Sequence, residues 1–146
     1  MRTSTFVLTL SLVLTSAAAI ARDSQNMYSL DDALNNPAAK QKMDPDVKLY
    51  FGKQGHPNVE KKIGEWGTNK KTNAFGKSDK KACEWAFLSA VLTMQARAKA
   101  EGGDAVINIR SNYKNIETSS ETEYMCGAGA MVAGVALKGD VVKLAK

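Results

Sequence analysis

The chain is short of the residues that do most enzyme chemistry. It has one histidine and two cysteines in 146 residues. His56 stands alone, before Pro57 in a Gly-His-Pro-Asn turn, and no G-x-S-x-G run is present, so a Ser-His-Asp relay has no frame to sit in. One histidine and two distant cysteines fall short of the usual zinc set, and no metal ligand or cofactor is assigned. Cys83 and Cys126 do not form a Cys-x-x-Cys pair, which speaks against catalytic redox exchange. The phosphate loop G-x-x-x-x-G-K-[ST] is absent, and Gly127-Ala128-Gly129 lacks the third glycine of a dinucleotide turn. An ATPase is contradicted by the residues, no nuclease motif is present, and the expectation is a protein that is not an enzyme. Repeats, low-complexity tracts and a second long apolar run are missing too.

The one long apolar run is at the start. Arg2, the run Phe6 to Leu14 and the small-residue site Ala19-Ile20-Ala21 read as a cleaved signal peptide over 1–21. The run is too short for a permanent membrane span. No cysteine follows it, so neither a lipid nor a transmembrane anchor is expected. The mature chain then begins near Arg22, in the bacterial periplasm or outside the cell.

About 125 residues remain, enough for one core. Residues 22–46 read as an N-terminal arm of short helices: Ser29 caps a turn through Asn35, Pro37 opens another, and Pro45 ends it. Residues 47–146 read as a single domain. Val47 to Phe51 and Val59 to Thr72 are expected strands around a Gly-His-Pro-Asn turn. Ser78 caps a long helix whose apolar stripe includes Ala82, Trp85, Ala86, Phe87, Val91 and Met94, and Gly102 ends it. The period then changes: Ala105, Ile107 and Ile109 alternate with Val106, Asn108 and Arg110, Asn115 to Ser120 suits a turn, and the chain from Glu121 to Leu137 reads as one extended arm rich in Gly and Ala. Asp140 to Leu144 is a short last strand or the tail of that arm. The order β-β-α-β-β predicts an α+β fold, an antiparallel or mixed sheet with one long helix on one face. The helix aromatics Trp85 or Phe87, or Leu88, are expected to rest on the small-residue arm.

An exported chain with two cysteines favours pairing them. A Cys83–Cys126 bridge would close about forty residues, which the chain-entropy account rates at roughly 4 kcal/mol. Height argues the other way. A turn centred near Glu117 leaves the two cysteines offset by about 10 Å, from the rises of helix and strand. Two buried thiols therefore stay open as the alternative.

Charge is positive, at +5. Lys61, Lys62, Lys70, Lys71, Lys77, Lys80 and Lys81 crowd one stretch around Trp66 and Phe75. Such a region could be a solvated face, because Glu60, Glu65, Asp79 and Glu84 are interspersed. It could also meet an anionic envelope surface, whereas nucleic acid suits an exported chain poorly.

The pattern Ala96-x-Ala98, Gly103-Asp104-Ala105-Val106 and Tyr124-Met125-Cys126-Gly127-Ala128-Gly129-Ala130 resembles the small α+β domain shared by the Rcs envelope-stress sensor lipoprotein and the YbjQ-like proteins. The resemblance covers about residues 78–137. It implies an Ala-rich helix leading into an Ala-Val strand, a role in envelope stress and, from the YbjQ side, a homo-oligomer. The chain departs from the sensor in having two cysteines where that family has four, and in lacking its lipid anchor.

The functional expectation is a non-enzymatic exported binding or stress-sensing module, with an envelope protein or an anionic envelope surface as partner. The alternatives are a periplasmic carrier of a small ligand or metal, and a hydrolase with an unrecognised carboxylate site.

Overall fold

A computed structural model describes residues 22–146; the expected signal peptide lies outside the described residues. The architecture is α+β, with a mixed seven-stranded sheet and one long helix. In chain order the elements are β1 (Ser24–Ser29), α1 (Leu30–Asn35), α2 (Pro37–Lys42), β2 (Lys48–Phe51), β3 (Val59–Asn73), α3 (Asp79–Ala100), β4 (Ala105–Tyr113), β5 (Ile116–Thr118), β6 (Glu123–Ala128) and β7 (Val132–Leu144).

The sheet is built on β7. Along one edge β3 pairs with it antiparallel, from Val59↔Leu144 to Asn73↔Val132. Its other edge is shared: β4 takes one end, from Ala105↔Val142 to Ser111↔Leu137, and β6 takes the other, at Gly127↔Gly134 and Ala128↔Ala133. β1 extends β6, β2 runs parallel to β4, and β5 hairpins back on β4. Where β4 and β6 part, the buried Ser111 hydroxyl accepts from the Met125 N–H at 3.0 Å, so the fork leaves that donor satisfied.

Three parts of the sequence reading are corrected here. The arm from Glu121 to Leu137 is not one strand. It reverses at Gly129 to Met131, where the Gly129 N–H donates to the Val132 carbonyl at 2.8 Å. The antiparallel partner of β4 is therefore chiefly β7, and Asp140 to Leu144 is the far end of that strand. The N-terminal arm, residues 22–46, also contains β1, an additional strand paired along its length with β6.

The helix α3 behaves as its signals require. The Ser78 hydroxyl accepts from Lys81 N–H, Gly102 adopts φ +80°, and Gly103 N–H reaches back to Ala98. Ala82, Ala86, Ala90 and Ala98 are fully buried, so the helix lies close against the sheet. Phe87, not Trp85, is the aromatic on the sheet: its ring stacks on Tyr124 at 4.1 Å and meets Phe51 at 5.9 Å. Trp85 faces the α2 side, between the ammonium groups of Lys42 and Lys81.

Cys83 and Cys126 are bonded, with Cα atoms 5.9 Å apart. The offset expected from the sequence came from placing the reversal at Glu117. The chain spends 116–122 on β5 and a loop, and β6 then pairs with the end of β7 beside the start of α3. From Cys83 to Phe87 the helix rises about 6 Å, and from Cys126 back to Tyr124 the strand covers about the same, so bridge and ring stack fall in step.

Candidate functional site: a glycine-floored trough

Side chains on a strand alternate, and cross-strand partners share a face. Ala133, Val135, Leu137 and Val141 of β7 turn toward α3 into the core. Gly134 turns the other way, with Asn69 and Lys71 of β3 beside it and Gly127 of β6 opposite. On this outer face lies a trough of about 510 Å³. Its floor is glycine, one wall is Tyr113 and Lys114, the other is Met131 and Val132, and Arg22 and Asp23 close one end.

Each wall has a local cause. The tight turn between β4 and β5 puts Lys114 and Asn115 at φ 52° and 62°, a two-residue reversal with both central residues left-handed. It lays the Tyr113 ring over Gly127: a Cβ there would sit 1.9 Å from the phenol oxygen. The opposite wall is the reversal at Gly129, where a Cβ would meet the Arg22 carbonyl at 2.9 Å.

The electrostatics of the trough are mostly paired. Asp23 accepts from Lys114 and, at 3.0 Å, from the Tyr113 hydroxyl. Hydrogen bonds from Lys114 and then Tyr113 hold its carboxyl below the ordinary range. Burial, and then Asp23, push the Tyr113 phenol up. Arg22 makes a two-pronged bond to Asp79 at 2.8 and 3.0 Å and donates to the Gly129 carbonyl at 3.0 Å. Lys71 is the lining cation with no ion-pair partner among the described residues.

The seven lysines singled out in the sequence do not converge. Lys61 and Lys62 pair with Lys143 and Val142 at the far end of β3, about 30 Å along the strand from Lys71. Lys70 shares the core side with Val135, while Lys71 shares the trough side with Gly134. Lys77 is exposed in the turn before α3 and donates to the Asn73 carbonyl at 3.0 Å. Lys80 is paired with Asp32 at 2.7 Å, and Lys81 lies 5.7 Å from the Trp85 ring. Of the seven, only Lys71 lines the trough, and Lys77 stands in the turn beyond the end of β3. Tyr113, Lys114, Arg22 and Met131 were not picked out by sequence reasoning. Their signal was the Lys-Asn turn dipeptide and the paired glycines 127 and 134.

A second charged group occupies the same outer face. Arg110 bonds Glu65 at 2.7 Å and Glu117 at 3.1 Å, and Lys138 bonds both acids at 3.1 and 3.3 Å. It links β3, β4, β5 and β7 and leaves no charge of the four unmatched. Among the described residues, no group of three or more His, Cys, Asp or Glu is placed to hold a metal ion, and no helix is long and apolar enough to cross a membrane. Comparison with protein-family models, with curated proteins and with solved structures gave no match.

Proposed function

We propose that this protein is a non-enzymatic binding module of the bacterial envelope, exported by its leader, and that the trough takes a small anionic group. The observation that carries the reading is Lys71: an ammonium with no ion-pair partner among the described residues, beside a glycine floor, with Lys114 across from it and the lining acid Asp23 already engaged. The buried Cys83–Cys126 bridge is compatible with an extracytoplasmic location. A stress-sensing role, the resemblance to the Rcs sensor and YbjQ-like domains, and a homo-oligomer belong to the same proposal.

Glycerol phosphate is a suitable probe. Titrated into labelled protein, it is expected to move the amide resonances of Lys71, Lys114 and Gly134 and to leave those of Lys61 and Lys62 in place. Lys71→Glu is expected to weaken the effect by about tenfold, the scale of one charge-assisted contact. Shifts centred on Lys61 and Lys62, or none, would sink the assignment of the trough.

A further inference from the structure

We propose that the end of the molecule carrying the trough docks on an anionic lipid bilayer, with Phe75, Ile116, Met131 and Val132 entering the interface and Lys71 and Lys77 meeting the phosphates. The proposal rests on the reading of an envelope-anion binder and names its partner.

Four large hydrophobic side chains are exposed among the described residues: Phe75 (67%), Ile116 (67%), Met131 (60%) and Val132 (48%). Scattered singly they would need no explanation. They are not scattered. The turn after β3 and the turn before β7 are joined by the Ala74 N–H donating to the Met131 carbonyl at 2.9 Å, and Asn73 pairs with Val132. β4 runs antiparallel to β7, so its Lys114–Asn115 turn, with Ile116 just beyond it, reaches the same end of the sheet. Three separate turns thus present apolar side chains at one end, on both sides of the trough mouth.

The charge at that end has one sign left over. Asp23 is taken by Lys114 and Tyr113, and Asp79 by Arg22. Glu117, next to Ile116, is held by Arg110 and Lys138. Lys71 and Lys77 have no ion-pair partner among the described residues. Apolar tips with a basic collar suit the boundary between lipid headgroups and acyl chains. A protein partner fits less well. Its interface would favour a continuous buried patch rich in Tyr, Trp and Arg, and depleted in Lys.

The test is sedimentation with vesicles of phosphatidylcholine alone and of phosphatidylcholine mixed with phosphatidylglycerol. The protein is expected to bind the mixed vesicles, and less so as salt is raised. Phe75→Ser with Met131→Ser is expected to cost about tenfold per side chain, from the apolar area lost. Lys71→Glu with Lys77→Glu is expected to weaken binding by about fivefold or more per lysine. All four sites are exposed, and an unchanged melting curve shows that each variant is folded. Lys61→Glu with Lys62→Glu, at the opposite end, is the control and is expected to change little. Equal binding to both vesicle types, or undiminished binding by Phe75→Ser/Met131→Ser, would overturn the proposal. So would loss of binding in the control alone, or association of this end with a protein but with no vesicle. Glycerol phosphate in the trough without vesicle binding would leave the proposed function standing and remove only the docking.

Discussion

Tyr124 and Gln95 are both buried polar side chains in the layer between α3 and the sheet, and they stand in opposite positions. The Gln95 amide is fully used: its oxygen accepts from the Asp44 N–H at 3.0 Å, and its nitrogen donates to the carbonyls of Asp44 and Val47 at 2.9 and 2.8 Å. It supplies the hydrogen bonds of the segment that leads from α2 into β2. Among the described residues the Tyr124 hydroxyl has no partner, and burial pushes its pKa up. Its ring is held by Phe87 and Tyr28. Removing a satisfied group strands its partners; removing an orphan strands nothing. Gln95→Leu is therefore expected to destabilise by about 2–4 kcal/mol, since three backbone groups lose their bonds. Tyr124→Phe is expected to be neutral or stabilising, by up to about 1–2 kcal/mol, because the desolvation cost disappears with the hydroxyl. Urea unfolding of the two variants checks the contrast; a Tyr124→Phe protein as weak as Gln95→Leu would show that the hydroxyl has a partner.

At the scale of elements, the two floor glycines make a second contrast. A Cβ on Gly127 collides with the Tyr113 ring, whereas one on Gly134 meets nothing closer than the Lys71 Cγ at 3.5 Å. Gly127→Ala is expected to expel Tyr113, break its bond to Asp23 and cost about 1–3 kcal/mol, while Gly134→Ala is expected to cost under about 1 kcal/mol. The NMR resonances of the Tyr113 ring and denaturant midpoints measure both. The same stretch shows what was legible in the sequence. Elements governed by local signals were readable: α3 from its Ser78 cap and Gly102 stop, α1 and α2 from Ser29 and Pro37, and β3 from Val59, Ile63 and Trp66 after the Gly-His-Pro-Asn turn. The Gly/Ala run was read as extended, which is right for β6 and for the start of β7. Its reversal was missed, because Gly129 to Met131 carries no Asn-Gly or Pro-Gly pair to mark it. β1 was missed because Gln25, Asn26 and Ser29 have poor strand propensity; the partner β6, remote in sequence, makes it a strand. The trough was not legible, since its walls come from four stretches that only the branching of β7 brings together. Conversely, seven lysines adjacent in sequence were spread over two faces and two ends, because alternation on β3 separates neighbours that a count of charge groups together.

For the molecule as a whole, the ion pairs form a pattern that no single pair shows. Arg22–Asp79, Lys80–Asp32, Lys99–Asp44 and Lys114–Asp23 each join the segment 22–46 to the α3 or β4 side of the fold. Apart from these, the segment is held by β1 pairing with β6, by the Gln95 clamp and by the burial of Leu30, Ala33 and Ala39. The carboxyls of Asp23, Asp44 and Asp79 are all lowered, chiefly by hydrogen bonds from Lys114, Lys99 and Arg22. A carboxylate whose pKa is lowered on folding stabilises fully above its unfolded value, about 3.9 for Asp, and loses that stabilisation as pH falls through the folded value. The direction is therefore acid weakening, confined to below about pH 4, and small per pair because these groups are exposed to solvent. The bridge between Cys83 and Cys126 closes a loop of 43 residues outside this segment and does not titrate. Acidification from pH 7 to pH 3 is thus expected to lower protection factors, taken relative to the intrinsic exchange rate at each pH, first in β1, α1 and α2, while the amides of α3 and β7 keep theirs. Exchange followed by mass spectrometry of peptides resolves the two regions. Reduction of the disulfide is expected to do the reverse, lowering the stability of the whole by an amount of about 4 kcal/mol on the chain-entropy account, with no preference for the N-terminal segment. Simultaneous loss of protection everywhere at pH 3 would mean that the segment and the rest unfold as one unit, and that its ion pairs do not set its attachment.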